Sequence, residues 1–279
     1  MIADVPAFDD LVALVRPPAE PVDAHGEWRR VEASLGIRLP ADFKALFERY
    51  GSGMFVDFIM PCTPFGSRAS LVQRARDLLD EMGPARDNWP DLFPYPFYPE
   101  PGGLLEWAGT DIGDRLCWVT EGPPDTWRVV VWPRHSDEFA EYPMGAVEFL
   151  YGWLSGSVTC PVFLQQVAPV PWFEPSRDLR EIYVNLVGGE QPYPARLWLL
   201  REALAPTVDR SGSYDGDDDD RQDKFAAVGL GWRLMYETHD GRETIRVAYP
   251  PDDEQRVRDA IVNAVNAMGC GVQSITRAR

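Results

Sequence analysis

The chain of 279 residues has little lysine, histidine or cysteine and no long apolar run. Lysine occurs only as Lys44 and Lys224 among 27 basic residues, a bias of GC-rich bacterial genomes rather than a mark of function. Three histidines, His25, His135 and His239, are too few and too scattered to spell a zinc site. Four cysteines, Cys62, Cys117, Cys160 and Cys270, stand far apart with no Cys-x-x-Cys pair. They read as buried or half-buried thiols of a cytoplasmic protein, not as disulfide staples. No stretch approaches the roughly 20 apolar residues needed to cross a bilayer. The opening Met-Ile-Ala-Asp-Val-Pro lacks the basic and apolar regions of a signal peptide. Catalytic signatures are missing too. There is no Gly-x-Ser-x-Gly elbow, and Gly229-x-Gly231 precedes Trp232-Arg233-Leu234 without a phosphate fingerprint, so it reads as a bulge in a strand. No metal or other cofactor is expected, and the enzyme class has the lowest claim.

What is abundant is acid. Asp and Glu number 44 against 27 Lys and Arg, for a net charge of −17 and a pI near 4.6. Such a chain repels phosphate, which argues against nucleic acid and anionic membrane as partners and leaves a cationic protein as one that long-range attraction favours. Residues 1–160 hold 25 acidic and 13 basic residues, whereas 161–279 hold 19 and 14, so the imbalance concentrates in the first half. With 45% apolar and 25% charged residues, the composition is that of a folded globular protein.

Residues 1–24 are Pro-rich and acidic and read as an N-terminal extension, with a helical turn or two at 8–15. Trp28, Val31, Glu32 and Leu35 follow helical spacing, and Gly36 ends that helix. Pro40 suits the first turn of the next helix, which buries Phe43, Leu46, Phe47 and Tyr50 and stops at Gly51-Ser52-Gly53. Residues 54–60 read as one strand. Ser70 to Gln73 has the form of a capping box opening a helix to about Met82. The Pro- and aromatic-rich stretch 84–103 reads as an ordered loop whose rings cover a sheet. Strands follow at 104–108, 115–120 and 127–132, then a helix at 145–154. This order implies an α+β fold, an antiparallel or mixed sheet flanked by helices.

Residues 157–177 read as a proline-rich linker. Beyond it lie a strand at 181–187, a helix at 194–204, a long strand at 225–236 and its hairpin partner at 243–249 across Asp240-Gly241. A helix starting near Pro251 and a strand at 271–276 complete the pattern. The order β-α-β-β-α-β is that of a smaller ferredoxin-like α+β domain over 178–279.

The segment Trp28-x3-Glu32-x2-Leu35-Gly36-Ile37-x-Leu39-Pro40-x-Asp42-Phe43-Lys44-x-Leu46-x3-Tyr50-Gly51-x-Gly53 resembles the opening motif of the SUKH superfamily, which includes the Smi/Knr-type cell-wall assembly regulators. Leu105-Glu106-Trp107-Ala108-Gly109 and Ile112-Gly113-Asp114-Arg115-Leu116-Cys117-Trp118 resemble its central strands, and 147–156 its closing helix. The resemblance covers residues 25–156. It implies a binding domain rather than an enzyme. Bacterial members are often similar to immunity proteins that neutralise polymorphic toxins, many of them nucleases. A nuclease presents a cationic groove, which an acidic inhibitor can fill with steered association. The rivals are a regulatory or scaffold module of cell-wall or signalling type, and an enzyme with an unrecognised site between the two halves.

Within the motif, Trp28, Leu35, Leu39, Phe43 and Tyr50 are assigned to the core, Gly36, Gly51 and Gly53 to turns, and Glu32 to a bond with a nearby turn. Candidate partner-binding residues are the acids near strand ends: Asp57, Glu106, Asp111, Asp114, Glu121 and Asp125. Trp107 and Trp118 read as core. The run Asp217 to Asp220, with Asp215 and Asp223, fails as a calcium loop because Asp220 and Ala226 stand where Gly and Glu are needed. It reads as a solvated acidic loop.

Overall fold

A computed structural model of the chain describes residues 6–66, 70–134, 138–163, 170–210, 214–215 and 220–278. The chain divides into two compact units, residues 1–176 and 177–279. Each is an α+β unit built on an antiparallel sheet.

The first unit runs α1 (Pro6–Leu14), α2 (Trp28–Leu35), α3 (Ala41–Tyr50), β1 (Gly53–Phe55), β2 (Ile59–Pro61), α4 (Leu71–Asn88), β3 (Leu104–Thr110), β4 (Arg115–Val119), β5 (Val129–Trp132), β6 (Ala140–Tyr142), α5 (Ala146–Ser155) and β7 (Phe173–Pro175). Its strand order is β6-β5-β4-β3-β2-β1-β7. The period-2 alternation of β3, β4 and β5 feeds two separate cores. Leu105, Trp107, Leu116, Trp118, Val129 and Val131 pack with Phe43 and Phe47 of α3 and Phe149 and Leu150 of α5. Leu104, Cys117, Val119 and Val130 point the other way, onto Leu78 of α4 and Phe97. Phe93, Tyr95, Trp132 and Phe139 join that second cluster, so the aromatic stretch does cover a sheet face, as its composition predicts.

Several local expectations change. Residues 54–60 are the hairpin β1–β2, because Val56 and Asp57 both take positive φ, 47° and 54°, and reverse the chain. Helix α4 runs past Met82 and through Pro84 to Asn88. The Asn88 side chain donates to the Pro84 carbonyl and the Trp89 N–H to Ala85, which sustains the last turn. Ser70 makes no side-chain cap there, and the Leu71 N–H goes instead to the Thr63 carbonyl. The N-terminal extension is structural: Leu11 and Val15 are fully buried in the main core, and the Tyr50 hydroxyl donates to the Val15 carbonyl at 2.6 Å. The stretch expected as a linker contains β7, which pairs with β1. Gly53 serves this pairing and not a turn, since a Cβ there would lie 2.2 Å from the Phe173 ring.

The second unit contains β8 (Arg180–Val187), α6 (Tyr193–Ala203), β9 (Thr207–Asp209), β10 (Tyr214–Asp215), β11 (Arg221–Ala227), β12 (Trp232–His239), β13 (Arg242–Tyr249), α7 (Glu254–Ala267) and β14 (Gly271–Arg277). The order β12-β13-β8-β14 within its sheet is the ferredoxin-like arrangement, extended at the β12 edge by β11 with β9 and β10. The expected long strand at 225–236 is therefore a second hairpin. Gly231, at φ +68°, belongs to its turn and not to a bulge. The Asp240-Gly241 turn forms where the sequence places it, with both residues at positive φ.

Because α1 completes the first core, Leu11→Ala should lower the unfolding free energy by about 2–5 kcal/mol in urea denaturation. A loss within error of zero would show that residues 6–15 are dispensable.

Candidate functional site

The motif residues form the frame of the first unit. Leu39 and Tyr50 are buried, while Trp28 and Leu35 are only half-buried, a correction to their core assignment. Trp28 packs edge-on against Phe43 and Phe65, and its indole N–H donates to Glu48 at 3.1 Å. Gly36 closes α2 in the left-handed region at φ +80°. Pro40 stands one residue before α3, at its N-cap and not inside the first turn. Gly51, at φ +68°, lies against Val22, whose carbonyl oxygen would be 2.2 Å from a Cβ, and bridges to that residue. Glu32 accepts from the Leu39 N–H at 2.9 Å and pairs with Lys44. Partial burial raises its pKa, but these two bonds outweigh that and hold the carboxyl below its ordinary value. Its bond to the α2–α3 turn is the one expected from sequence.

The six candidate acids do not share one surface. Asp57 and Asp111 lie at one end of the sheet, where the Asp111 N–H donates to the Phe58 carbonyl. Asp114 is at that end but buried, accepting from Thr110 Oγ1 and from the Arg134 N–H. Glu121 and Asp125 are exposed at the opposite end. Glu121 pairs with Arg128, and Asp125 accepts from the Ala41 N–H at 2.6 Å, satisfying an open donor at the start of α3. Glu106 is 1% exposed inside the sheet. The burial of Glu106 is not legible in the sequence, which does not show that β3 is covered on both faces. Trp107 and Trp118 are fully buried, as core residues. His135, Ser136 and Asp217 to Asp219 lie outside the described residues, and of Asp215 only the backbone is described.

An exposed surface that the sequence reading missed runs along α4. Leu78 faces the interior, while Asp80, Glu81 and Asp87 are exposed on the rest of the helix. Just beyond the helix end, Trp89 is 60% and Leu92 50% exposed, and Leu79 on the helix is 37% exposed. Asp91 sits between Trp89 and Leu92. Acids near a helix C-terminus oppose its dipole by about 0.3–1 kcal/mol each. A large aromatic left in water also forgoes the burial that ordinarily stabilises it. Both features suit a surface that another protein covers. The signal was present as Trp89-Pro90-Asp91-Leu92, but nothing local says which aromatics of 84–103 point inward. The second unit exposes Trp198 on α6 at 61%.

The first unit also holds a pocket of about 360 Å³ lined by Glu106, Arg74, Arg115, Asp114 and Arg134. Arg115 binds Glu106 at 2.8 Å and Glu81 at 2.9 Å, and Arg74 lies 3.8 Å from the other Glu106 oxygen. Burial raises the Glu106 pKa, more than the two arginines lower it. The carboxylate is thus consumed by ion pairs that tie α4 to the sheet. A carboxyl whose pKa is raised on folding loses stability as pH rises from its unfolded value toward its folded one. The stability of the native protein minus that of Glu106→Gln should accordingly fall as pH increases through that window, in urea titrations at stepped pH. A difference that climbs with pH would mean that the ion pairs outweigh burial.

Among the described residues no helix is long and apolar enough to cross a membrane, and no group of His, Cys, Asp or Glu is arranged to hold a metal ion. No curated protein and no solved structure matches the chain. A family model does: SUKH_6, described as SMI1-KNR4 cell-wall, matches residues 25–150. That span runs from the residues before α2 into α5 and includes the Leu-Gly-Ile-x-Leu-Pro turn bonded by Glu32 and the paired strands β3 and β4. Residues 25–150 of this chain are a domain of the SUKH superfamily.

Proposed function

We propose that this is a non-catalytic, protein-binding immunity protein that neutralises a cationic toxin domain in the cytoplasm by occluding its site. The observation that carries this reading is the end of α4 in the SUKH domain, where exposed Trp89 and Leu92 follow exposed Asp87 in the chain and flank exposed Asp91. An aromatic anchor supplies affinity once a partner desolvates it, and the surrounding acids steer a basic partner and repel acidic ones. The net charge of the chain supports the same class of partner and disfavours nucleic acid and anionic lipid. Four buried free thiols suit a reducing compartment.

The cell-wall description of the matching family favours a second reading, a regulatory or scaffold module whose SUKH domain holds another protein without inhibiting it. The two readings part on one measurement. Purified protein mixed with the toxin domain encoded beside its gene should abolish toxicity near a one-to-one ratio. Undiminished toxicity in that mixture would sink the immunity reading. Trp89→Ala should weaken the complex by about 2 kcal/mol, roughly 30-fold in Kd by calorimetry, with little change in melting temperature. Unchanged affinity would move the interface away from α4.

A further inference from the structure

Strand β14 ends the sheet of the second unit. It pairs with β8 on one side and, among the described residues, with no strand on the other. Residues 274–277 lie in unbroken antiparallel register with 182–185, and the Ala278 N–H donates to the Glu181 carbonyl at 3.1 Å. Hydrogen-bonding direction alternates along such a pair. Ser274 and Thr276 therefore turn their backbone groups toward β8, and Ile275 and Arg277 turn theirs to the outer edge.

A row of unpaired N–H and carbonyl groups invites another strand, and native sheets blunt such edges with proline, charge or brevity. The other edge strands here are blunted. β6 is three residues with Glu141 and is followed by Pro143, and β7 is three residues with Pro175. β9 is three residues preceded by Pro206, and β10 is two residues. In contrast, β14 runs for seven residues without proline, lysine or acid. Its one charge, Arg277, is bound by Glu254 of α7. Its irregularity against β8 falls between Val272 and Ser274 and leaves the remainder straight.

The edge is complementary to itself about Ile275. Antiparallel pairing with a second copy sets Ile275 opposite Ile275, Ser274 opposite Thr276 and Gln273 opposite Arg277. The two Ile275 residues exchange both backbone bonds, their side chains extend the apolar core they already flank, and no like charges face each other. Charge selects the same edge. Asp215, Asp220 and Asp223 stand on or beside β10 and β11, at the far end of the sheet, and Glu237, Asp240 and Glu243 on the β12–β13 hairpin. The acids of the two elements flanking β14 are engaged: Glu181 by Arg246, Glu254 by Arg180, Arg258 and Arg277, and Asp259 by Gln255. Two acidic chains thus repel least when they approach through β14.

We propose that β14 is a docking edge at which a second copy of this chain adds its own β14, forming a two-fold dimer with one continuous sheet. The dimer goes beyond the toxin-binding reading and stands apart from α4, so each can fail alone.

Sedimentation velocity of the full chain, loaded from about 1 μM to about 1 mM, should show a monomer–dimer equilibrium. Raising salt above about 0.15 M screens the repulsion between the two acidic chains and should increase the dimer fraction. Ile275→Pro removes an N–H that β8 does not use and should weaken the dimer by about tenfold or more. Trp89→Ala should leave it unchanged. Amide exchange of the unaltered chain reads the edge directly: the Ile275 and Arg277 amides should slow as concentration rises, while those of α6 keep their rates. Four results would overturn the proposal: a monomer at every loading, a dimer whose Ile275 and Arg277 exchange ignores concentration, a dimer equally tight in folded Ile275→Pro, or a dimer weakened by Trp89→Ala.

Discussion

The structure of the first unit depends on strand β3 being buried on both faces. Leu105 and Trp107 point to one core, Leu104 and Glu106 to the other side, and every residue from Leu104 to Ala108 is shielded from solvent. Two layers must then cover one sheet: α1, α3 and α5 with the main cluster, and α4 with the aromatic stretch on the reverse. Glu106 stands where alternation carries an ionisable side chain into the second layer. A buried carboxylate needs charged partners, and Arg115 from β4 and Arg74 from α4 supply them. The same pairs fix how α4 sits on the sheet and, through that, which of its residues face water.

The acids at the end of α4 do not serve the stability of that helix. Asp87 and Asp91 lie near the negative end of the helix, and Trp89 keeps most of its surface in solvent. Other acids of this unit stabilise it visibly, for instance Glu32 on the α2–α3 turn and Asp125 on the start of α3. The contrast separates acids that hold the fold from acids available to a partner. Among the acids of the strands and their loops, Glu106, Asp114 and Asp125 are of the first kind.

The second unit follows other rules. Its sheet carries α6 and α7 over one apolar face, and its ionic pairs include arginines of β13, α7 and β14. The inserted hairpin partner β11 widens a ferredoxin-like sheet beyond β12.

Much of the architecture was legible in the residues. Short, nearly continuous apolar runs marked β3, β4 and β5, Gly36 marked the end of α2, and Asp240-Gly241 marked the β12–β13 turn, because each is a local device. The Trp28 to Gly53 pattern was legible as a domain signature for the same reason, its glycines and Pro40 standing where the backbone needs them. Two hairpins read as single strands in the sequence: Val56-Asp57 does not announce a turn, and Gly229-x-Gly231, which can, reads equally as a bulge. The sequence by itself determined the two-domain α+β plan, the SUKH resemblance and the excess of acid in the first half. Only the tertiary structure decided which acids are buried, which tryptophans are exposed and which charges pair. Those depend on what lies against each side chain from distant segments, and burial and charge pairing are properties of that meeting and not of the local chain.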